Sequence, residues 1–326
     1  MKRLILTSEA SPTLSDFAEV VIAFTFRFVS GPLPSPDELA AYVAKRSKSH
    51  GPGKHWSGFT GRWPQAARRR KNLALAEFCQ PYDIVELWFD PDPNGQLQLI
   101  WLLDCLSFHP EIAAKLKLRP VDFDLIIPHG MNLHKWESQA PIIDVTASEF
   151  ETAKMAWQAY RASTPESCVN LLHKDLSALP MLRPALRDLL AELPSRVTGL
   201  GATEMRLLEL IALGYLATNG LFYLPTLRQT RVFRELEIGS LIEGLAHGPR
   251  PAVAGLDDEL RTLEKEKYGP RLEAFQRSRL SLTEFGKSIV AYKEDLSRHN
   301  PIDRWWGGTH LTNDRLWRWD PVLIAP

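Results

Sequence analysis

The segment Asp83–Leu106, DIVELWFDPDPNGQLQLIWLLDCL, holds a strand, a turn and a helix in succession. Its first part, DIVELWFD (Asp83–Asp90), is rich in β-branched and aromatic residues, which predicts a strand. Asp, Pro, Asn and Gly follow, and these residues favour turns. The last part, GQLQLIWLLDCL (Gly95–Leu106), is apolar enough to predict a largely buried helix. The segment therefore predicts one strand-to-helix unit of an α/β fold.

Similar signals lie on both sides of this segment. RLILT (Arg3–Thr7), EVVIAFTFRFV (Glu19–Val29) and FDLIIPH (Phe123–His129) are predicted to be strands. SPDELAAYVAKR begins a helix at the N-cap Ser35, with Pro at the first position and Glu closing a capping box. Strands that alternate with helices favour a mostly parallel sheet covered by helices. We predict that residues 1–140 form a Rossmann-like α/β domain.

From residue 141 onward the pattern is mainly helical, and residues 141–326 are predicted to form a helical domain. ASEFETAKMAWQAYRA has apolar residues at helical spacing, and TGLGATEMRLLELIALG has Thr203 as a plausible N-cap and Gly214 at its end. Two more short helices are predicted at about residues 224–236 and 238–247, and a short strand and a turn follow them. This order is typical of a winged helix-turn-helix, which we place at about residues 198–295.

Composition restricts the class of protein. The 326 residues are 44% hydrophobic and 24% charged, as in globular proteins. Lys plus Arg and Asp plus Glu are 39 each, so no net charge attracts nucleic acid or an anionic membrane. No signal peptide or membrane span is predicted, and a cytoplasmic protein is expected. The cysteines lack paired spacing, which favours free thiols over a disulfide or a zinc site: Cys79, Cys105 and Cys168.

A candidate ligand site lies in the turn after the predicted strand Asp83–Asp90. Asp90 and Asp92, with Gln96 beside them, could hold Mg²⁺ or a ribose at the carboxyl end of a strand. The alternative is structural, because Asp92 or Asn94 can cap the next helix. The chain contains neither GxGxxG nor GxxxxGK[ST], so neither a dinucleotide fingerprint nor a P-loop is present and no cofactor is named. The sequence brings together no Ser–His–Asp or Cys–His set, so no catalytic residue is assigned.

Metal binding is a weaker possibility. HGMNLH places His129 and His134 five residues apart after a predicted strand, and in a loop this spacing is poor support for a metal ligand pair. No metal site is predicted.

Two basic segments are candidate nucleic-acid sites. Between Glu38 and Glu77 there is no acidic residue but there are nine Lys and Arg, including Arg68, Arg69, Arg70 and Lys71. Trp56, Phe59 and Trp63 in the same segment could stack on bases. The alternative is a solvated loop and a helix with a basic outer face.

The second basic segment lies in the predicted winged module. Arg228, Arg231 and Arg234 share a broad helix face and could contact phosphates. The next helix offers Ser240, Glu243 and His247 but no Lys or Arg, which argues against major-groove recognition. Contact with a protein partner fits this module as well as DNA binding does.

Four stretches give the chain a family resemblance that spans most of its length: VELWFDPDPNGQLQLIWLLDCL, GPLPSPDELAAYVAKR, GLGATEMRLLELIALG and IDRWWGGTHLTNDRLWRWD. They resemble the bacterial family called "domain of unknown function 1835". The family's Trp-Phe-acid-X-Asp-X-X-X-Gln-Leu pattern falls here on Trp88, Phe89, Asp90, Asp92, Gln96 and Leu97. The resemblance implies a Rossmann-like first half and a helical second half, and it brings no assigned reaction.

The stretch PIDRWWGGTHLTNDRLWRWD (Pro301–Asp320) holds four of the ten tryptophans: Trp305, Trp306, Trp317 and Trp319. Period-two alternation in RLWRW predicts a strand, and TND predicts the turn of a hairpin with HL as its other arm. We interpret this hairpin as a structural clasp with buried tryptophans. A stacking site for an aromatic ligand and a catalytic cluster are the alternatives.

The expected function is that of a cytoplasmic regulatory or nucleic-acid-associated protein whose α/β domain senses a ligand or a partner. One alternative is an enzyme acting on a small phosphorylated or nucleotide substrate at Asp90 and Asp92. The other is a protein-interaction module without a ligand.

Overall fold

A computed structural model describes residues 1–8, 12–48, 50–51, 53–60, 63–125, 132–222, 232–263 and 269–326. The chain divides into two compact units. The first comprises Met1–Phe28, Leu33–Ala162 and Asn170–Leu186, and the second comprises Val29–Pro32, Ser163–Val169 and Arg187–Pro326. The predicted boundary at residue 140 lies inside the first unit.

A five-stranded sheet forms the centre of the first unit. Its strands are β1 (Arg3–Thr7), β2 (Val20–Ala23), β3 (Ile84–Trp88), β4 (Leu116–Leu118) and β5 (Ile143–Asp144). They lie in the order β2-β1-β3-β4-β5. Strands β1 to β4 are parallel, and β5 runs antiparallel to β4. This confirms the predicted α/β class with a mostly parallel sheet.

Side chains of the central strands alternate between two buried layers. Leu4 and Leu6 of β1 point to one side, and Ile5 points to the other, where it joins a cluster with Trp88 of β3. That cluster also contains Leu14, Val121, Leu125 and Leu133. Both faces of the central strands are therefore covered, as expected for parallel strands.

The second predicted strand is shorter than expected. We predicted Glu19–Val29, but β2 ends at Ala23. Phe24 forms an isolated antiparallel bridge with Thr60. Further along, a side chain of the helix that follows β3 takes over: Asn94 accepts from the Phe28 N–H and donates to the Phe26 carbonyl, both at 2.9 Å. Around Phe26 and Phe28 the backbone hydrogen bonds are thus made with side chains instead of with a neighbouring strand. Strand propensity in the sequence does not predict these side-chain partners.

The predicted strand FDLIIPH is also corrected in its first part. Phe123–Leu125 is not a strand, and residues 126–129 lie outside the described residues. The strand of this region is β4, whose three residues are too few for a clear alternation. Phe123 and Leu125 instead pack in the cluster around Trp88.

Helices of the first unit are α1 (Pro36–Val43), α2 (Leu75–Cys79), α3 (Pro93–Leu106), α4 (Pro110–Ala113), α5 (Leu133–Gln139) and α6 (Ala147–Tyr160). The predicted capping box of α1 is confirmed, because Ser35 accepts from the Glu38 N–H and Glu38 accepts from the Ser35 N–H. Helix α3 is buried along nearly its whole length, as its sequence predicted. It packs against α6.

Further along the chain lie α7 (Glu166–Leu171), α8 (Leu182–Ala191), α9 (Ala202–Ala212), α10 (Thr218–Phe222), α11 (Glu235–Ala246), α12 (Leu260–Leu263), α13 (Pro270–Arg277) and α14 (Glu284–Val290). Short strand pairs join β6 (Val253–Ala254) to β7 (Ser281–Leu282), β8 (Asp303–Trp306) to β9 (Thr309–Thr312), and β10 (Arg318–Trp319) to β11 (Leu323–Ile324). None of the helices in the described ranges is long and apolar enough to cross a membrane.

Within the second unit, a third segment extends the β6–β7 pair. Ala217, which precedes α10, forms an antiparallel bridge with Arg279, just before β7. The Leu280 N–H donates to the Leu216 carbonyl at 2.8 Å. The segment around β7 therefore lies between the segment at residue 217 and β6.

Candidate functional site

Asp90 follows β3 at the edge where parallel strands β1 and β3 end side by side. Its Oδ2 accepts from the Ser8 hydroxyl at 2.8 Å, and the Asp90 N–H donates to the same hydroxyl at 3.0 Å. Its Oδ1 accepts from the Leu125 N–H at 2.8 Å. The carboxylate is only 3% exposed. Asp90 thus joins the ends of β1 and β3 to the segment that follows β4.

Asp92 and Gln96 have structural contacts in the same turn. Asp92 is the N-cap of α3, and its Oδ1 accepts from the N–H groups of Asn94 and Gly95 at 3.0 and 3.2 Å. Gln96 donates from Nε2 to the Asp90 carbonyl at 2.8 Å. Gly95 is needed here, because a Cβ would lie 2.7 Å from that carbonyl oxygen.

A ligand site at this turn requires both carboxylates to face one accessible cleft. Asp90 is buried, so the described residues do not form that cleft. A neighbouring cavity lined in part by Phe89, Gln96 and Arg119 has a volume of about 10 Å³, which is room for a single water molecule. The arrangement favours the structural alternative for Asp92 and leaves the enzyme hypothesis without a described site.

Sequence reasoning missed a buried charge network on the sheet, which we call the Glu86 network: Arg3, Glu86, Trp88, Arg119 and Glu137. Glu86, on β3, is 3% exposed. Its Oε2 accepts from Arg119 Nε and from Trp88 Nε1, each at 2.8 Å, and Arg3 Nε lies 2.6 Å from its Oε1. The signal in the sequence is a lone acid inside an apolar strand, but its partners are remote in the chain.

Electrostatics keep this network ionised. Burial alone raises the pKa of Glu86, but hydrogen bonds from Arg3, Trp88 and Arg119 outweigh burial and hold that pKa below its usual range. Glu137 completes the network, since its Oε1 accepts from Arg3 and Arg119 at 2.9 Å. All charges are paired internally, so we interpret the network as structural.

The basic segment of the first unit is largely exposed. Seven of its described Lys and Arg side chains are exposed, one of which is Lys54. The other six lie near the two ends of the segment, and we call them the basic surface: Lys45, Arg46, Lys48, Arg68, Arg69 and Lys71. Within the described ranges, no ion pair involves any of the six. The Arg46 N–H donates to the Asn72 carbonyl at 3.0 Å, which brings the two ends of the segment together. Positive charge is thus concentrated without a compensating carboxylate inside the segment.

Arg70, also predicted to bind nucleic acid, differs from its neighbours. Gln65–Arg70 is a 3-10 helix with Lys71 as its C-cap, so Arg68 and Lys71 lie one turn apart. Arg70 instead turns inward, donates to the carbonyls of Glu77 and Phe78, and lies 4.7 Å from the Phe78 ring centroid. Its donors are used internally, so we leave Arg70 out of the basic surface.

The predicted basic helix face in the second unit is largely outside the described residues, since Arg228 and Arg231 belong to residues 223–231. Arg234 is described and is the N-cap of α11, where its N–H donates to Glu237 Oε2 at 2.8 Å. The exposed positions of α11 include Glu235, Leu236 and Ser240. This helix presents acidic and apolar side chains where a DNA reader would present basic ones.

The tryptophan-rich hairpin lies earlier in the chain than predicted. Strands β8 and β9 pair around Gly307 and Gly308, whereas Trp319 lies in β10, which pairs with β11. Trp306 is the buried tryptophan, at 6% exposure, and its Nε1 donates to the Leu189 carbonyl at 2.6 Å. Trp317 and Trp319 are only half-buried. Of the four tryptophans in this stretch, Trp306 is therefore the buried one.

Trp305, on the opposite face of β8, is 37% exposed. Its ring stacks on His310 at 4.6 Å between centroids, and His310 Nε2 lies 2.6 Å from Asp303 Oδ1. One face of this indole is therefore covered by its own hairpin. The two adjacent tryptophans occupy different environments, as alternation along a strand requires.

A buried carboxyl group, Glu192, joins the end of α8 to the start of α9 in the second unit. It accepts from the Thr203 hydroxyl at 2.5 Å and from the Thr203 N–H at 3.2 Å. A Cβ on Gly201 would lie 2.7 Å from the Glu192 carbonyl oxygen, so only glycine allows this approach. Burial raises the pKa of Glu192 from 4.5 to about 7, and the nearby Glu204 carboxyl adds to the effect.

This group predicts a pH dependence of stability. The folded chain keeps the Glu192 proton up to about pH 7, whereas the unfolded chain releases it near 4.5. The free energy of unfolding should therefore fall as pH rises, by about 2 kcal/mol between pH 5.5 and 7.5. Urea denaturation at a series of pH values measures this. In Glu192→Gln, which keeps an oxygen acceptor for Thr203, this part of the pH dependence should be lost, and an unchanged profile would contradict the assignment.

Cysteine and metal chemistry find little support in the described part of the chain. Burial raises the pKa of each cysteine thiol to about 12, which disfavours a thiolate nucleophile. Among the described residues, no group of three or more His, Cys, Asp or Glu is placed to hold a metal ion. His129 lies outside those residues, and His134 is an exposed side chain packed against the Phe17 ring.

No protein-family model matches the chain, and no curated protein matches it. The resemblance to the "domain of unknown function 1835" family therefore stays a prediction.

Proposed function

We propose that the basic surface binds phosphate groups of nucleic acid. The observation that carries the proposal is the concentration of exposed Lys and Arg side chains in a segment without acids, between Glu38 and Glu77. The chain as a whole is neutral, so long-range attraction to a polyanion must come from such a local surface. Lys and Arg side chains that lack internal partners can exchange water and counterions for phosphates.

Salt dependence tests the proposal. If the six side chains of the basic surface all contact phosphates, affinity for DNA should fall roughly 10³-fold between 50 and 200 mM salt. The triple variant Arg68→Ala, Arg69→Ala, Lys71→Ala should bind more weakly and lower the slope of log affinity against log salt by about 3. Fluorescence anisotropy with labelled DNA of several sequences measures both, and all sequences should be affected alike.

A matched control removes the same charge elsewhere in the first unit. Lys135, Lys154 and Lys174 are exposed and lie outside the basic segment. Their triple replacement by Ala should leave the affinity close to that of the parent. Equal losses in both triple variants would attribute binding to net charge alone, and salt-independent binding would contradict the proposal.

We further propose a Rossmann-like fold for the first unit and membership of the "domain of unknown function 1835" family. The strand order with β1 between β2 and β3 supports the fold, because the chain changes direction there as in doubly wound sheets. Such sheets bind ligands at that switch point, but there Asp90 is buried and hydrogen-bonded. We therefore place the function on the basic surface instead of on an enzyme site.

For the second unit we propose a winged helix-turn-helix used for protein contact. Support comes from the three-segment arrangement of residue 217, β7 and β6. In sequence, α9 precedes residue 217, and α10 and α11 lie between residue 217 and β6. Helix α11 would occupy the recognition position, but it exposes Glu235 and Leu236. Acidic and apolar side chains suit a protein partner better than DNA.

The two proposals together describe a regulatory protein that contacts nucleic acid through one unit and a protein partner through the other. A cytoplasmic location is part of this proposal, and the three free cysteines support it.

A further inference from the structure

The aromatic residues of the basic segment decide which form of nucleic acid fits the basic surface. A protein that binds single strands offers aromatic rings on which unpaired bases stack. Trp56 is completely buried, its Nε1 donates to the Leu73 carbonyl at 2.9 Å, and its ring packs against Phe78. It has no face left for a base.

The other two rings are also engaged inside the protein. Phe59 stacks on Phe26 with 4.1 Å between ring centroids. Trp63 is half-buried, packs against Trp56, and donates from Nε1 to the Ser57 carbonyl at 3.0 Å. Trp56, Phe59 and Trp63, which the sequence offers for base stacking, therefore pack inside the protein beneath the basic surface.

Internal hydrogen bonds order the backbone that carries the basic surface. The Arg46–Asn72 backbone bond closes the segment, and the guanidinium of Arg70 anchors the 3-10 helix to the carbonyls of Glu77 and Phe78. A backbone that is already ordered loses less freedom on binding, and it places its cations at fixed intervals that suit regularly spaced phosphates. Duplexes meet this condition, and their charge density, about one charge per 1.7 Å of axis for DNA, exceeds that of a single strand.

We infer that the basic surface binds the phosphate backbone of double-stranded nucleic acid, and not unpaired bases. This inference rests on the proposed function. The recognised feature is the regular phosphate backbone, which DNA and RNA duplexes share. Binding should therefore be independent of base sequence.

The test measures fluorescence anisotropy of the full chain with four labelled probes of equal length: a DNA duplex, an RNA duplex, a mixed-sequence DNA single strand and an abasic DNA strand. At about 100 mM salt, the better duplex should bind about tenfold more tightly than the single strand. The abasic strand should bind as well as the strand with bases. The ratio of the two duplex affinities shows which backbone geometry the surface prefers.

The outcomes separate this inference from the proposed function. If the single strand binds as tightly as both duplexes, the preference for a duplex is overturned while phosphate binding stands. If it binds more tightly than the abasic strand, bases contribute and the inference is likewise overturned. If none of the probes shows salt-dependent binding, the proposed function itself fails. The triple variant Arg68→Ala, Arg69→Ala, Lys71→Ala should reduce duplex binding by a larger factor than single-strand binding, and the reverse order would count against the inference.

Discussion

Replacing Glu86 by alanine should lower the free energy of unfolding of the first unit by about 3–5 kcal/mol, the usual result of removing one partner of a buried ion pair. The change leaves the guanidinium of Arg119, whose side chain is 4% exposed, without its buried carboxylate. It also removes the acceptor of Trp88 Nε1. Urea denaturation followed by circular dichroism measures the loss, with the two units fitted as separate transitions where they separate.

Lys117 provides the control for this prediction. It is the register partner of Glu86 on β4 and pairs with Asp144, a carboxylate that is 74% exposed. Surface pairs of this kind contribute about 0–1 kcal/mol, so Lys117→Ala should change stability little. Similar losses for the two variants would show that the Glu86 network is no stronger than a surface pair.

Trp306→Ala should destabilise the second unit by about 3–5 kcal/mol, because a buried indole is lost and a cavity remains. The Leu189 carbonyl also loses its indole donor. For a unit of this size the midpoint of thermal unfolding should fall by about 10 °C. Differential scanning calorimetry of the full chain measures the shift, and Trp306→Phe, which leaves a smaller cavity, should lie between the alanine variant and the parent.

The neighbouring Trp305 is the matched comparison. Its side chain is 37% exposed and stacks on His310, so Trp305→Ala removes far less buried area. We expect a shift of the midpoint of only about 1–3 °C. If Trp305→Ala were as destabilising as Trp306→Ala, the assignment of the clasp to the buried face of β8 would be wrong.

Elements with strong local signals were predictable from the sequence. Strand β1 carries a continuous apolar run, and β3 carries one that only Glu86 interrupts. Helices α1 and α3 carry N-caps with proline at the first helical position. Strands β4 and β5 have three and two residues, so no periodicity can identify them. The early end of β2 depends on side chains of α3, which are remote in the chain. Tertiary contacts therefore set the ends of these strands, and local strand propensity does not predict them.

The candidate site divides in the same way. The exposure of Arg68 and Arg69 is predictable from their charge. Arg70 turns inward because its guanidinium packs on the Phe78 ring and donates hydrogen bonds to two backbone carbonyls. Asp90 lies at the strand end where a ligand site was expected, but the Ser8 hydroxyl and the Leu125 N–H occupy its oxygens. From the sequence one can predict that a carboxylate lies at a sheet edge. The sequence does not show whether donors of the protein itself already occupy the oxygens of that carboxylate.

The position of β1 in the sheet has a consequence for folding during synthesis. Its two neighbours are β2, which follows soon after it, and β3, whose paired residues lie 81 positions further along, as Arg3 and Ile84 do. A ribosome adding about 5–20 residues per second needs roughly 4–16 s to make that stretch. During this interval one edge of an apolar strand offers unpaired N–H and carbonyl groups to any other nascent strand. This edge of β1 therefore stays open to wrong pairing until residue 88 has emerged.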